Sequence, residues 1–424
     1  STEQMMALCR EAGIELQEQP EGADAVVINT CGFIDSAKTE AIDTILSMAQ
    51  LKEDGRLGKI LVTGCLTQRY QQEILDELPE VDGMMGTGSY GDIVPALREL
   101  MAGQRPRRFA DINGPVEEFD RVLTTPGHYA YLRIAEGCNN RCAFCIIPYL
   151  RGKYRSRRME DIFAEARQLA DAGVKELIVI AQDITRYGTD LYGEHKLAAL
   201  LRELCKLDFH WIRLHYLYPE EITPELIDTI AQEPKILKYI DLPIQHCNDQ
   251  ILRTMCRRST KAELLELFST LRERIPGLVL RTSLITGLPY EDEAAFEELC
   301  QFLQDVRIER AGVFPYSPEE GTPAAKMLNR VDADEAQRRA DLVVDVQSRI
   351  MDDFNESRMG DVTEVLCDGW DEQSQSFVGR SYAESVDIDG KIYFASYREI
   401  MAGEFVNVRL TGTMDGELTG EAFE

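Results

Sequence analysis

Short apolar runs alternate with helical spacings along the first hundred residues. Ala25 to Asn29 and Lys59 to Thr63 read as buried strands. Between them, Asp35 to Lys52 sets its apolar residues at helical intervals, with Asp35 and Ser36 near the start as capping groups. Gln68 to Leu78 and Asp92 to Met101 carry the same period. Residues 1–103 therefore predict a parallel α/β domain, because such alternation places helices on the faces of a parallel sheet. Ser1-Thr2-Glu3 resembles a helix cap, and Met5, Met6, Leu8 and Cys9 follow on one helical face. A parallel domain normally opens with a strand, so the pattern predicts a first strand and its loop ahead of Ser1. The Met5-Met6 and Met84-Met85 pairs read as packing.

Gly103, Pro106, Gly114, Pro115, Pro126 and Gly127 interrupt the pattern, and 104–127 reads as a linker. Alternation then resumes. Strands are expected at Tyr129–Ile134, Glu176–Ala181, Trp211–His215, Tyr239–Leu242, Val279–Leu284 and Ala311–Pro315. Helical stretches such as Glu160–Ala172, Lys261–Arg274 and Glu293–Val306 separate them. Six strand–helix units fit a central partial (β/α)6 barrel, assigned with its connecting helix, Asp332 to Met359, to 128–355. Residues 356–424 hold short alternating runs, Val362–Leu366, Phe377–Gly379, Lys391–Phe394 and Phe405–Leu410, which suggest a small antiparallel β-barrel. The expected fold class is α/β and multidomain.

The chemistry enters at one loop. Cys138, Cys142 and Cys145 follow the first barrel strand, in the segment Glu136-Gly137-Cys138-Asn139-Asn140-Arg141-Cys142-Ala143-Phe144-Cys145. Fe–S clusters normally take four thiolates, so three leave one iron open to a small molecule. Structural zinc wants four protein ligands, and no second Cys/His pair lies close in sequence. Disulfides are disfavoured by the tight spacing.

Composition bounds the rest. The chain has 424 residues, a net charge of −28 and eleven cysteines. No apolar run is long enough to span a bilayer, and that cysteine usage without a secretory pattern suits a reducing cytoplasm.

The cysteine loop, with aromatic Phe144 just before its last cysteine, resembles the radical S-adenosylmethionine (SAM) superfamily. That resemblance implies a partial parallel barrel and a reduced 4Fe–4S cluster on Cys138, Cys142 and Cys145. The open iron would chelate SAM, whose reductive cleavage yields a 5′-deoxyadenosyl radical.

Two further cysteines sit just past strands. Cys31 lies in Asn29-Thr30-Cys31-Gly32 and Cys65 in Thr63-Gly64-Cys65-Leu66. Neighbouring strands run about 5 Å apart, so the two thiols could meet at one sheet edge, where open α/β sheets bind ligands. The plain alternative is a pair of small apolar strand-end residues. Asn-Thr-Cys and Gly-Cys upstream of a SAM loop, with a C-terminal β-domain, are similar to the methylthiotransferases. That family holds a second 4Fe–4S cluster on three N-terminal cysteines. Cys31 and Cys65 match two of them; the third would lie in the expected preceding segment, and Cys9 points into packing instead. The C-terminal barrel would then be TRAM-like.

Strand ends suggest SAM contacts at Gln182, Asp183 and Gly287, beside Phe144 on the loop. His246 and Pro289 stand at other strand ends, as core or turn residues or as contacts. Arg151, Arg155, Arg157 and Arg158 form a basic run that suits an anion site or a solvated face.

The family's main branches modify a tRNA adenosine or a ribosomal protein. Residues 356–424 hold fifteen acidic and five basic residues, a balance of −10. Phosphate binding requires cations, so this balance argues against tRNA and for a basic protein. Val378-Gly379-Arg380-Ser381-Tyr382 with Asp387-Ile388-Asp389-Gly390, and Tyr154-Arg155-Ser156-Arg157, also resemble the branch that acts on ribosomal protein uS12. The expectation is a methylthio group added to the β-carbon of a uS12 aspartate, with an electron donor and a sulfur donor as further partners. It places both clusters on one pocket, with the acidic barrel holding the substrate over it. The tRNA-modifying sibling and a non-catalytic iron–sulfur protein are the alternatives.

Overall fold

The computed structural model of the chain describes residues 1–423 and divides them into two compact units. The first comprises 1–124, 135–161 and 317–326; the second comprises 125–134, 162–316 and 327–423.

The first unit begins with α1 (Thr2–Glu11), β1 (Ala25–Thr30), α2 (Asp35–Glu53), β2 (Lys59–Gly64), α3 (Cys65–Glu77), β3 (Gly83–Met85), α4 (Ile93–Met101) and β4 (Arg107–Arg108). Its four strands pair in parallel in the order β1-β2-β3-β4. The apolar sequence pattern buries as expected. Ile60, Val62 and Met84 pack under Ala41 and Ile45 of α2, while Leu61 and Met85 face Met5, Cys9 and α4. One expectation changes. The segment read as a linker supplies β4, because Arg107 and Arg108 pair with Met84 and Met85, which pack in the core as expected and form β3. Backbone hydrogen bonding holds these arginines where local composition marked only turns.

The second unit is built on β5 (Tyr129–Arg133), which leads in the chain to a small ribbon of the first unit, β6 (Ala135–Glu136), α5 (Ile147–Arg151) and β7 (Arg155–Ser156). There follow α6 (Met159–Asp171), β8 (Glu176–Ile180), α7 (Leu197–Leu204), β9 (Trp211–Leu214), α8 (Pro224–Gln232), β10 (Ile236–Asp241), α9 (Asp249–Thr254), α10 (Lys261–Arg274), β11 (Val279–Thr286), α11 (Glu293–Val306), β12 (Arg310–Pro315) and α12 (Ala333–Ser357). The six strands form one parallel sheet, ordered β12-β11-β10-β9-β8-β5, each beside its predecessor in sequence. Helix starts follow local chemistry: the Thr260 side chain accepts from Glu263 N while the Glu263 carboxylate accepts from Thr260 N, a capping box opening α10.

After α12 come β13 (Val362–Asp371), β14 (Ser376–Arg380), β15 (Ile392–Ala395), β16 (Phe405–Met414) and β17 (Glu417–Ala422), a closed five-stranded barrel. All its pairings are antiparallel except β15 with β17. β17 was not expected, since its Thr, Gly and Glu residues carry a weak alternation.

This barrel sits at the N-terminal ends of the parallel strands. Phe405 lies 4.8 Å from Trp211 at the start of β9, and His128, just before β5, lies 3.0 Å from Asp368. The segment 381–389 packs on one face of the sheet, where Val386 meets Tyr129 and Ile178 and Tyr239 donates to Asp389 at 2.6 Å. Buried ion pairs fasten it. Glu176 accepts from Arg213 and from Arg380, each at 2.6 Å. Glu384 takes Arg310 at 2.9 Å and Arg358 at 2.6 Å.

Burial alone would raise the Glu384 carboxyl, but Arg358 and Arg310 overcome it and hold its pKa at about 2, below its ordinary 4.5. A depressed carboxylate contributes stability above its unfolded pKa and loses it as pH falls toward the folded value. We expect thermal melts of the protein to lose stability between pH 4.5 and about 2, with a shallower slope in Glu384→Gln. Glu384→Ala, which strands two buried guanidinium groups, should cost about 3–5 kcal/mol at neutral pH in denaturant titration.

Candidate functional site

β1 and β2 run in parallel register, Thr30 opposite Gly64, so their next residues, Cys31 and Cys65, stand side by side. Glycine makes the approach possible. A Cβ on Gly32 would lie 2.8 Å from Leu66 N, and one on Gly64, whose φ is +105°, would lie 2.4 Å from Thr30 O. Cys31 is exposed and Cys65 is buried. Burial pushes the Cys65 thiol up; the Arg151 guanidinium, which hydrogen-bonds it, works in the opposite direction, while Cys31 and Glu136 add to the rise. The N-terminus of α1 opens at the same strand end, where Asn29 donates to Thr2 Oγ1 at 2.8 Å.

The second cysteine loop belongs to the same unit. Cys138, Cys142 and Cys145 are half-buried. The loop is preformed by its backbone: Cys138 N donates to Gly152 O at 3.2 Å and Cys145 N to Cys142 O at 3.0 Å. Gly137 has φ +77°, and a Cβ there would sit 2.2 Å from Lys153 O. Asn140 N donates to Cys138 Sγ at 3.4 Å. An N–H aimed at sulfur favours the thiolate and tunes an iron–sulfur potential. Among the described residues no three His, Cys, Asp or Glu groups converge as ligands of a single metal ion. A cubane asks something else, since each thiolate takes its own iron. Half-buried thiols on a short preformed loop, with a backbone donor to sulfur, fit that demand.

One short helix joins the two sets. Ile146 and Leu150, flanking and within α5, pack on Cys65 and Phe33. Arg151, the last residue of α5, reaches both Cys65 and Glu136, the latter at 3.6 Å. Leu150 O accepts from Thr87 Oγ1 at 2.6 Å. Nothing in the sequence marked Arg151 beyond its place in a basic run. The structure uses three of those four arginines internally: Arg155 donates to Gly114 O and Arg151 O, and Arg157 pairs with Glu118 at 2.5 Å. Only Arg158 is well exposed.

The strand ends of the second unit carry the other candidates. Gln182, just past β8, has a buried Oε1 with no hydrogen-bond partner, an acceptor available to a ligand donor. Asp183 is fully buried, and its Oδ1 accepts from Thr185 N at 3.0 Å while Arg186 lies 3.4 Å from Oδ2. Its carboxylate holds the turn. Gly287 has φ +75°, and a Cβ would meet Ala336 Cβ at 2.3 Å, so this glycine lets α12 approach β11. His246 is buried with Nε2 3.5 Å from Glu291, and its Nδ1 accepts from Asn248 N at 3.0 Å. Phe144 is half-buried on the cysteine loop.

A radical SAM superfamily model matches residues 132–303, a model described as uncharacterized protein family UPF0004 matches 1–86, and a TRAM domain model matches 359–423. Parallel sheet, three-cysteine loop and superfamily match together define a radical SAM enzyme. Ribosomal protein uS12 methylthiotransferase RimO of Clostridioides difficile strain 630 is 44% identical over 419 residues, covering 98% of this chain and 94% of that protein. The same-named protein of Lachnoclostridium phytofermentans is 46% identical, covering 99% and 96%. The chain belongs to the radical SAM methylthiotransferases, in the ribosomal protein uS12 methylthiotransferase family. Among solved structures, the radical SAM methyltransferase TsrM of Kitasatospora setae, with cobalamin and a [4Fe-4S] cluster bound, superposes with a TM-score of 0.54 at 13% identity, over 76% of this chain and 68% of that one. At that identity the likeness is one of fold.

Gly137→Ala should displace the cysteine loop through both its backbone conformation and Lys153 O. We expect anaerobically reconstituted Gly137→Ala to retain less iron than the parent at similar thermal stability, read by iron assay and cluster absorbance.

Proposed function

We propose that this chain adds a methylthio group to the β-carbon of an aspartate in ribosomal protein uS12. Support comes from relatives named for that activity across nearly their whole length, and from the acidic C-terminal barrel. The observation that carries the chemistry is the shared frame of two cysteine sets, linked by α5 and Arg151.

Cys138, Cys142 and Cys145 would hold a 4Fe–4S cluster, and Cys31 and Cys65 would supply two thiolates to a second. A reduced cluster with SAM provides a 5′-deoxyadenosyl radical, strong enough to take hydrogen from an unactivated carbon. Everything else falls to the chain's own groups. Asn140 N stabilises the Cys138 thiolate. Arg151 offsets negative charge at Cys65 and at Glu136. Phe144 shields the loop, and the unpartnered Gln182 Oε1 is open to a ligand donor. Asp183 and Gly287 shape their strand ends. An electron donor and a sulfur donor complete the reaction, and a reducing cytoplasm suits both clusters; no helix among the described residues is long and apolar enough to cross a membrane.

In the C-terminal barrel, buried Arg358 and Arg380 are answered by Glu384 and Asp368, so the acidic excess is left for the surface. That surface suits a basic protein and repels phosphate. The tRNA reading predicts tight tRNA binding with a steep salt slope. We expect instead weak tRNA binding, and uS12 binding that weakens with salt and with reversal of exposed barrel charges. Cys142→Ala should abolish SAM cleavage after reduction, and mass spectrometry of uS12 should show the methylthio mass gain only with the parent enzyme. Retained cleavage in Cys142→Ala, or modification of tRNA and not uS12, would refute the proposal.

A further inference from the structure

The segment 317–326 belongs to the first unit although β12 just before it belongs to the second. It carries a buried charge cluster that the preceding function does not use. Glu319 is 2% exposed. Its Oε2 takes Arg69 Nη1 at 2.8 Å and Lys38 Nζ at 3.2 Å. Its Oε1 accepts from Ser317 Oγ at 2.7 Å, and its backbone oxygen accepts from Thr322 Oγ1 at 2.7 Å.

The contacts around Glu319 run to both cysteine loops. Arg69 Nη1 donates also to Gly32 O at 3.0 Å, the residue after Cys31, and Arg69 Nη2 donates to Glu320 O at 2.7 Å. Arg69 itself lies on α3, which Cys65 begins. On the other side, Ala324 N donates to Ala143 O at 2.9 Å, between Cys142 and Cys145, and Gly321 faces Ile146 Cδ1, the residue after Cys145. A buried carboxylate with two cationic partners is costly unless its geometry is well held, and removing one partner leaves unpaired charge. Such a group resists displacement, which is what a spacer requires.

We propose that Glu319 is a positioning residue that fixes the separation of the Cys31/Cys65 pair from the Cys138–Cys145 loop. It touches neither substrate nor cysteine; it acts through Arg69 and Gly32 on one side and through the 321–324 backbone on the other. The inference rests on the two-cluster reading above. Group transfer between two sites depends steeply on their spacing, and a misplacement of about 1 Å costs about 100-fold.

The test uses the protein with the third N-terminal cysteine present, anaerobically reconstituted, with Glu319→Gln as the near-isosteric variant and Glu319→Asp as the conservative one. Iron per chain is counted first, and the dipolar coupling between the two reduced clusters is then measured by electron paramagnetic resonance. We expect about eight irons in parent and variants. The coupling should broaden in Glu319→Gln and recover in part in Glu319→Asp. The ratio of methylthiolated product to 5′-deoxyadenosine should fall about 100-fold in Glu319→Gln. Identical coupling and product ratio in Glu319→Gln and the parent would overturn the positioning role while leaving two clusters in place. About four irons in the parent would overturn the two-cluster reading, and this inference with it.

Discussion

The first unit depends on how closely two backbone turns approach each other at the ends of β1 and β2. Gly32 and Gly64 have no side chains, and a methyl group at either would strike backbone, at 2.8 Å and 2.4 Å respectively. Without that approach the parallel register would still bring Cys31 and Cys65 abreast, but the loops carrying them would splay. Close-packed peptide planes then do what side chains cannot. They set two sulfurs at one strand end with little freedom to drift, and α5 can lay Ile146 and Leu150 against the same place.

Charge is handled in two ways. In the first unit it converges on cysteine chemistry, with Arg151 between Cys65 and Glu136. In the second it is structural: Glu176 and Glu384 each accept two arginines where the terminal barrel meets the sheet. Replacing such pairs with apolar groups can be energetically neutral, whereas halving them is severe. Their value here is specificity of seating, since a guanidinium fork accepts a carboxylate in few orientations.

Much of this was legible in the chain. Strand and helix periods placed the six strands of the large sheet and the long helices, because apolar alternation directly reports which side of an element is buried. The cysteine spacing and the residues around it identified the class. What stayed hidden depends on distant partners. Arg107 and Arg108 became a strand only because β3 offered backbone groups to pair with. Arg151, Arg155 and Arg157 looked like one basic face, yet each is committed to a separate internal acceptor. Asp183 and Gly287 stand at strand ends in sequence and structure alike, Asp183 bonded within its turn and Gly287 against Ala336. Glu319 lies some 250 residues from Arg69, and no local pattern could pair them.

The terminal barrel grips the strand starts, whereas chemistry in parallel sheets gathers where the strands finish. Four to eight residues of strand, roughly 13–26 Å, separate those two ends. Substitutions on the barrel's outer face therefore act beside the strand starts, a strand's length from the opposite rim of the sheet. One rim of the sheet is thus committed to seating the barrel, and the opposite rim is the one where parallel sheets gather ligands.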